Sequence, residues 1–552
     1  MEVRNLYKTL AFYICTALAV LVALEIVPQR NINGRDSQDF SPLRVSDDIR
    51  VIGKEPHSIQ HPKERKVLRD YLFHRLEQMG GDTQIFDYDT IPSKIGGEFS
   101  YSNIYSTFSP ASIDSSMQAS YILLVAHYDS RYRQIVKGDT VFSYGAADDG
   151  YGLGVILESV SLALEYRKEW KQGIKVLFTD AEEHELDGMR SAWERDRNIF
   201  EGVNLVVNVE ARGVRGPALL FETSPGNEKI IELYSYTGKP SGMSLTSAVY
   251  RFLPNDTDFS VVKDSIPGMN FAVIDNLKFY HTDLDNCSNI SLASIQHYGD
   301  QLQPVIHEYL VNAKYSAHDA LEGDGDVVFF TLPVLGLFAF SKGGYMVLNI
   351  LICALFLFVL HVYVKYKMLG FKGILRAMRH ILTFAAGAFV LGTAAAYMAA
   401  VHSGVKFSFI DLRYVDYDNY MVLAMLLVLV VWILVFCRLQ ERKDRFYAWK
   451  ILLGVNIILM VSTLVLLVVY GEGFFLALPF ATSSIALFFS IARNFKWLYL
   501  ISASLTELLG VHFLYLLYSA LTAGSLGVIM FLSVMYSFSI VSQYYCLKRR
   551  VL

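Results

Sequence analysis

Two regimes of hydrophobic patterning divide the chain near residue 327. Beyond it, long apolar runs follow one another at roughly 344–365, 381–402, 419–437, 447–470, 473–492, 497–519 and 523–546. As a helix, each is long enough to cross a hydrocarbon layer of roughly 30 Å. A further run, Leu10–Val27, stands near the start of the chain; its exit, ALEIVPQR, offers no small-x-small cleavage site, so it reads as a retained anchor rather than a cleaved signal peptide. One apolar stretch, VVFFTLPVLGLFAFS at 327–341, is too short for a span and contains Pro333, and it reads as interfacial or packed against the bundle.

Between 28 and 326 the apolar residues come in shorter bursts. In the segment 55–80, Val67, Leu68, Tyr71, Leu72, Leu76 and Met79 recur at helical spacing until Gly80-Gly81, which predicts an amphipathic helix. Continuous apolar runs at 121–126, 174–179, 205–209 and 269–274, with a helical pattern at about 150–166, predict strands buried on both faces. This is an α/β layer fold with a mixed, mostly parallel sheet flanked by helices. The partition that follows is an anchor over 1–28, a folded domain over 29–326, an interfacial segment over 327–343 and an α-helical multi-span transmembrane domain over 344–552.

Charge orients the spans. Arg4 and Lys8 precede the first; Lys365, Lys367, Lys372, Arg376 and Arg379, then Arg438, Arg442, Lys443 and Arg445, then Arg493 and Lys496, then Lys548, Arg549 and Arg550 fill alternate loops and the tail. The intervening loops are acidic or nearly free of charge. The positive-inside rule then places both termini in the cytoplasm and the folded domain outside it, in a periplasm or an organelle lumen, where the sequon Asn289-Ile290-Ser291 would matter only in a secretory setting. A net charge of -4 excludes a nucleic-acid footprint, and the apolar spans make membrane lipid an expected partner. Of the five cysteines, only Cys287 lies in the folded domain, which excludes a disulfide framework.

Polar residues of a particular kind come directly after the predicted strands. His127 and Asp129 follow the first, Glu182 and Glu183 the second, Glu210 the third, and His281 lies just past the fourth. In open α/β sheets the crevice beyond the carboxyl ends of the strands is where ligands bind, so these groups are expected on one rim. Imidazoles mixed with carboxylates suit zinc, and a carboxylate shared by two ions makes a two-metal site. Asp129, two residues after His127, is placed to accept the second imidazole N–H. The chain contains no HExxH, so the single-zinc helix-based proteases are not supported.

In order and wording, AHYDS, GAADDG, TDAEEHELDG, VNVEARG and FYHTDLDN resemble the co-catalytic two-zinc aminopeptidase family, which also includes glutamate carboxypeptidase, glutaminyl cyclase and the non-enzymatic transferrin receptor, over residues 50–312. The resemblance implies a zinc-exopeptidase fold and two zinc ions per chain. His127, Asp148 and Glu210 would hold one, with Asp148 bridging to a second completed by Glu183 and His281, and Glu182 would be the general base. Many members carry Asp where this chain has Glu210. The resemblance also implies peptide substrates and aminopeptidase activity, with glutaminyl cyclisation, carboxypeptidase activity or a non-catalytic transporter or scaffold as alternatives. Asp256 and Asp258 in LPNDTDFS are expected to line the cleft, and Arg212 and Tyr280 flank ligands. The architecture, one span before the domain and several after it, looks like the endoplasmic reticulum metallopeptidase and vacuolar membrane protease branch. Within the spans, Glu507, His512 and His361 are ionisable groups at a costly depth, read chiefly as buried hydrogen-bonding groups.

Overall fold

The computed structural model describes residues 2–24, 32–111, 119–250, 255–366, 369–492 and 495–549. The exit of the first apolar run at 25–31 lies outside the described residues, as do 251–254 of the LPNDTDFS loop and the loop and tail cations at positions 367, 493 and 550. The described residues fall into two compact units. One holds the N-terminal helix, Leu332–Leu335 and everything from Lys342 on; the other holds the intervening chain up to Thr331 together with Gly336–Ser341.

The second unit is built on a seven-stranded sheet. Its strands are β1 (Asp82–Asp87), β2 (Ser102–Phe108), β3 (Tyr121–His127), β4 (Gly173–Thr179), β5 (Val203–Ala211), β6 (Leu219–Thr223) and β7 (Gly268–Val273), in the spatial order β1-β2-β4-β3-β5-β7-β6. The four central strands β4, β3, β5 and β7 are mutually parallel, and the outer pairings are antiparallel. The composition of the central strands explains the layering: GIKVLFT and VNLVVNVEA are buried along their whole length. Alternate residues feed two separate apolar layers, Ile122, Leu124, Val176 and Val207 on one face, and Leu123, Val125, Leu177 and Val206 on the other.

The helix predicted from 55–80 runs over Pro62–Gln78, with Leu68, Leu72 and Leu76 buried. Val67, expected on the same face, is 70% exposed, while Arg65 is buried, donating to Asp180 at 3.2 Å and to the Ser100 carbonyl at 2.6 Å. The polar group wins the inner position because both of its acceptors are already there. The helix Gly150–Glu165 is capped by Asp149, whose Oδ1 accepts from the Gly152 amide at 2.9 Å. A further helix, Leu292–Val311, carries Pro304 and the buried polar residues Gln296, His297 and Gln301.

His297 gives the fold a pH dependence. Its Nδ1 accepts from the Ala218 amide at 3.0 Å and its Nε2–H donates to the Lys239 carbonyl at 3.0 Å, so the imidazole is held neutral, and burial brings its pKa down to about 4. The unfolded chain takes up a proton near pH 6.5 and the folded one does not until near pH 4. Stability therefore falls as pH drops through that window, by on the order of a few kcal/mol. In urea titrations between pH 7 and pH 4, His297→Gln is expected to flatten this loss.

In the first unit, eight helices among the described residues are long and apolar enough to cross a membrane, including Leu6–Leu24 of the N-terminal helix. The helix containing the run at 381–402 starts ten residues earlier, at Phe371, because Lys372, Arg376 and Arg379 continue the same helical register. The stretch at 327–341 is not helical but a hairpin of β8 (Val327–Leu332) and β9 (Gly336–Ser341), turning at Val334 with φ 66°. Its first strand is buried, and the Val327 amide donates to Asn227 Oδ1 at 2.9 Å.

Candidate metal centre

Because β3, β4, β5 and β7 run parallel, their carboxyl ends open on one rim of the sheet. His127 is the last residue of β3, and Glu210 lies one residue before the end of β5. Glu182 and Glu183 open a single helical turn, Glu182–Glu185, that follows β4 after Asp180 and Ala181; Ala181 takes a left-handed φ of 56° to make the turn. His281 follows β7 beyond a short turn at Leu277–Phe279, also with a positive φ, 63°. Asp148 enters from the loop before the helix Gly150–Glu165, and its peptide bond to Asp149 is cis.

Five side chains from these far-apart stretches meet. His127 Nε2 lies 3.3 Å from Asp148 Oδ1 and 3.6 Å from Glu210 Oε2. On the other side of the same carboxylate, His281 Nε2 lies 3.3 Å from Asp148 Oδ2 and 3.0 Å from Glu183 Oε1. Two groups of three thus share Asp148, and in each group the candidate ligand atoms lie within 4.8 Å of one another. Glu182 stands at the head of the turn next to Glu183.

Neighbours fix this arrangement. Asp285 accepts from the Ala147 amide at 2.7 Å and from the Asp148 amide at 3.2 Å, which anchors the loop carrying the shared carboxylate. The His127 Nδ1–H has the Asp129 carbonyl at 2.9 Å, with the Asp129 carboxylate further off at 3.5 Å. Asp129 thus meets the imidazole through its main-chain carbonyl rather than its side-chain carboxylate. That group instead accepts the Glu182 amide at 3.0 Å and the Glu183 amide at 3.3 Å, satisfying the first N–H groups of the turn. Arg131, which the sequence reading missed, donates through Nη1 to Glu183 Oε2 at 2.9 Å and to the Glu183 carbonyl at 2.8 Å. Asn208 Nδ2 donates to Glu210 Oε1 at 3.4 Å.

Three buried atoms of the second group, Asp148 Oδ2, Glu183 Oε1 and His281 Nε2, have no well-aligned hydrogen-bond partner among the described residues, although the two oxygens lie 3.3 and 3.0 Å from that nitrogen. Buried polar atoms are ordinarily satisfied, and here three without a well-aligned partner face one another. Two oxygens and a nitrogen in that relation are the donor set a divalent metal such as zinc takes. Residues 103–306 match the model of peptidase family M28.

Residues 103–306 form a peptidase family M28 domain.

The chain is also similar to curated membrane proteases. The chain is 30% identical over 225 residues to human endoplasmic reticulum metallopeptidase 1, covering 40% of this chain and 24% of that protein. It is 28% identical over 264 residues to a vacuolar membrane protease of Candida tropicalis, covering 45% of this chain and 27% of that one. It therefore spans about a quarter of the length of these relatives. Among solved structures, an aminopeptidase from an Aneurinibacillus species matches half of this chain and 95% of its own, at 11% identity and a TM-score of 0.40. Porphyromonas gingivalis glutaminyl cyclase matches 49% of this chain and 98% of its own, at 18% identity and a TM-score of 0.38.

Within the M28 domain the carboxylates differ in proton affinity. Burial pushes Glu182 well above the usual carboxylate range, and Glu210, Glu183 and Asp258 add to the effect against the pull of His127. Burial opposes the charge of Glu183 too, but His281 and Arg131 outweigh it and hold that carboxyl well below its usual range. For His127, burial works against the cation, and Glu210, Asp129 and Asp148 overcome it. Two adjacent glutamates are therefore driven in opposite directions by their surroundings.

The remaining expected residues divide. Asp258 is fully buried, accepts the Thr179 hydroxyl, and is pushed by burial to about 7, whereas Asp256 is exposed. Tyr280 stacks on the His281 ring at 3.6 Å between centroids, and both Tyr280 and Arg212 are half-buried. In the helical unit, His512 is buried and Glu507 half-buried on the helix Leu498–Leu521, and His361 is exposed. None of these three belongs to the two groups at the strand ends.

Proposed function

We propose that the chain is a membrane-bound zinc exopeptidase, an aminopeptidase that removes N-terminal residues from peptides. The observation carrying this reading is the pair of three-residue groups sharing Asp148, three of whose buried atoms have no well-aligned hydrogen-bond partner among the described residues. His127, Asp148 and Glu210 would hold one zinc ion, and Asp148, Glu183 and His281 a second. Zinc bound by such ligands supplies a Lewis acid for the scissile carbonyl and a water that ionises near neutral pH.

The chain's own residues supply the rest. Glu182, with its raised proton affinity, takes a proton from the attacking water onto its carboxylate and returns it to the nitrogen of the leaving amine. Asp129 fixes where Glu182 and Glu183 begin their turn by accepting both of their amides. Its carbonyl holds the Nδ1–H of His127, so that Nε2 is the free nitrogen. Asp285 keeps the loop of Asp148 in register with the rim.

Domain partition and sidedness belong to the same proposal: an anchor, an extracytoplasmic peptidase domain and a span bundle, with both termini cytoplasmic. Chelation of the purified full chain is expected to abolish hydrolysis of free-amino peptides, and zinc to restore it, while amino-acetylated peptides stay intact throughout. Cleavage of the acetylated peptides with the free ones untouched would reject the aminopeptidase assignment. Conversion of N-terminal glutaminyl peptides to pyroglutamyl peptides with release of ammonia, and no peptide-bond hydrolysis, would replace it with cyclisation.

A further inference from the structure

One contact separates the two halves of the candidate centre. Glu210, in the first group, is held by the neutral amide of Asn208 at 3.4 Å. Glu183, in the second, carries the guanidinium of Arg131 at 2.9 Å on Oε2, while its Oε1 faces His281 at 3.0 Å. Arg131 is also pinned in place. Its Nη1 donates to the Glu183 carbonyl at 2.8 Å, and its guanidinium carbon lies 4.2 Å from the centre of the Tyr132 ring. The fixed positive charge thus sits directly on a carboxylate whose other oxygen is one of the three atoms without a well-aligned partner.

We infer that Arg131 makes the two metal positions unequal, so that the one formed by Asp148, Glu183 and His281 fills last and empties first. The inference rests on the two-metal reading above. A guanidinium hydrogen-bonded to one oxygen of a ligand carboxylate withdraws electron density from the other and repels a divalent cation through a short, poorly solvated path. Asn208 imposes no such charge on Glu210. Arg131 is a positioning residue here: it holds Glu183 in place and lowers the attraction of that position for metal. A peptidase built this way keeps one zinc ion while exchanging the other, so its activity follows the free zinc concentration of its compartment.

The test is a zinc titration of the metal-stripped full chain in detergent, against a chromophoric chelator at constant pH. Wild type, Arg131→Lys, Arg131→Gln and Arg131→Met are compared, each first shown by its thermal transition to be folded. Two dissociation constants well apart are expected for wild type and Arg131→Lys. In the Gln and Met variants, relief of the charge repulsion should tighten the weaker constant by about 10- to 100-fold, with the tighter one unchanged. Two zinc ions bound by every variant at unchanged spacing would overturn the role of Arg131 and leave the two-metal reading standing. A single zinc ion in all four proteins at saturation would overturn the two-metal reading itself.

Discussion

Glu182→Gln is expected to lower kcat for a free-amino peptide by about 10²- to 10⁴-fold, the range a positioned general base contributes, with zinc content unchanged. The substitution is nearly isosteric and leaves the Glu182 amide on Asp129 Oδ1, so the turn that presents Glu183 should persist. What it removes is a carboxylate whose environment of burial and neighbouring acids raises its hold on a proton. The neighbouring substitution should behave differently. Glu183→Gln touches a group facing both His281 and Arg131, and is expected to cost metal as well as rate. Rates and zinc stoichiometries of the two variants, measured side by side, check the division of roles between adjacent glutamates. Equal loss of zinc in both would contradict it, and wild-type kcat in Glu182→Gln would reject Glu182 as the general base.

Asp148→Asn should have the broadest effect of any single substitution in the domain. Its two carboxylate oxygens face different imidazoles, Oδ1 toward His127 and Oδ2 toward His281. Converting the shared carboxylate to an amide removes its charge and one of its two oxygen donors, so both metal affinities are expected to fall by more than about 100-fold, with activity lost alongside. Because metal that binds only the folded state stabilises it by mass action, the variant's thermal transition should also stop responding to added zinc. Asp283→Asn is the control: Asp283 is exposed in the same segment as His281, and its replacement should leave binding and melting alone. Isothermal titration with zinc and a melting curve at each metal concentration read both effects.

The strands that carry the site were legible because they are central. Buried on both faces, β3, β4, β5 and β7 must be continuous apolar runs, and such runs punctuated by His, Asp and Glu at their ends stand out in a sequence. Edge and polar elements were not legible for the same physical reason. In β2, SNIYSTF, Ser102 and Asn103 are buried because Asp180 accepts the Ser102 amide and Asn103 Oδ1 accepts the Asp180 amide; hydrophobic periodicity cannot register such partners. The helix Leu292–Val311 hides its inner face behind Gln296, His297 and Gln301, each tied to backbone or side chains elsewhere in the fold.

At the site, residue type at the strand ends pointed to His127, Glu182, Glu183, Glu210 and His281, the family resemblance added Asp148, and the fold brings them to one rim. The residues that hold them in place were less visible. Asp285 acts through amides 137 and 138 positions away, and Arg131 is one cation in a run with Arg133 that reads as ordinary surface charge until Glu183 is seen against it. Asp129 was visible as a partner of His127, but its stronger commitment is to the turn after β4, which only the parallel pairing of β3 and β4 puts within reach.

The most direct measurement is anomalous diffraction at the zinc edge from crystals of the purified full chain. Two peaks are expected, one among His127, Asp148 and Glu210 and the other among Asp148, Glu183 and His281, with Asp148 between them. Strong zinc peaks elsewhere in the molecule, with none on either side of the Asp148 carboxylate, would contradict the assignment.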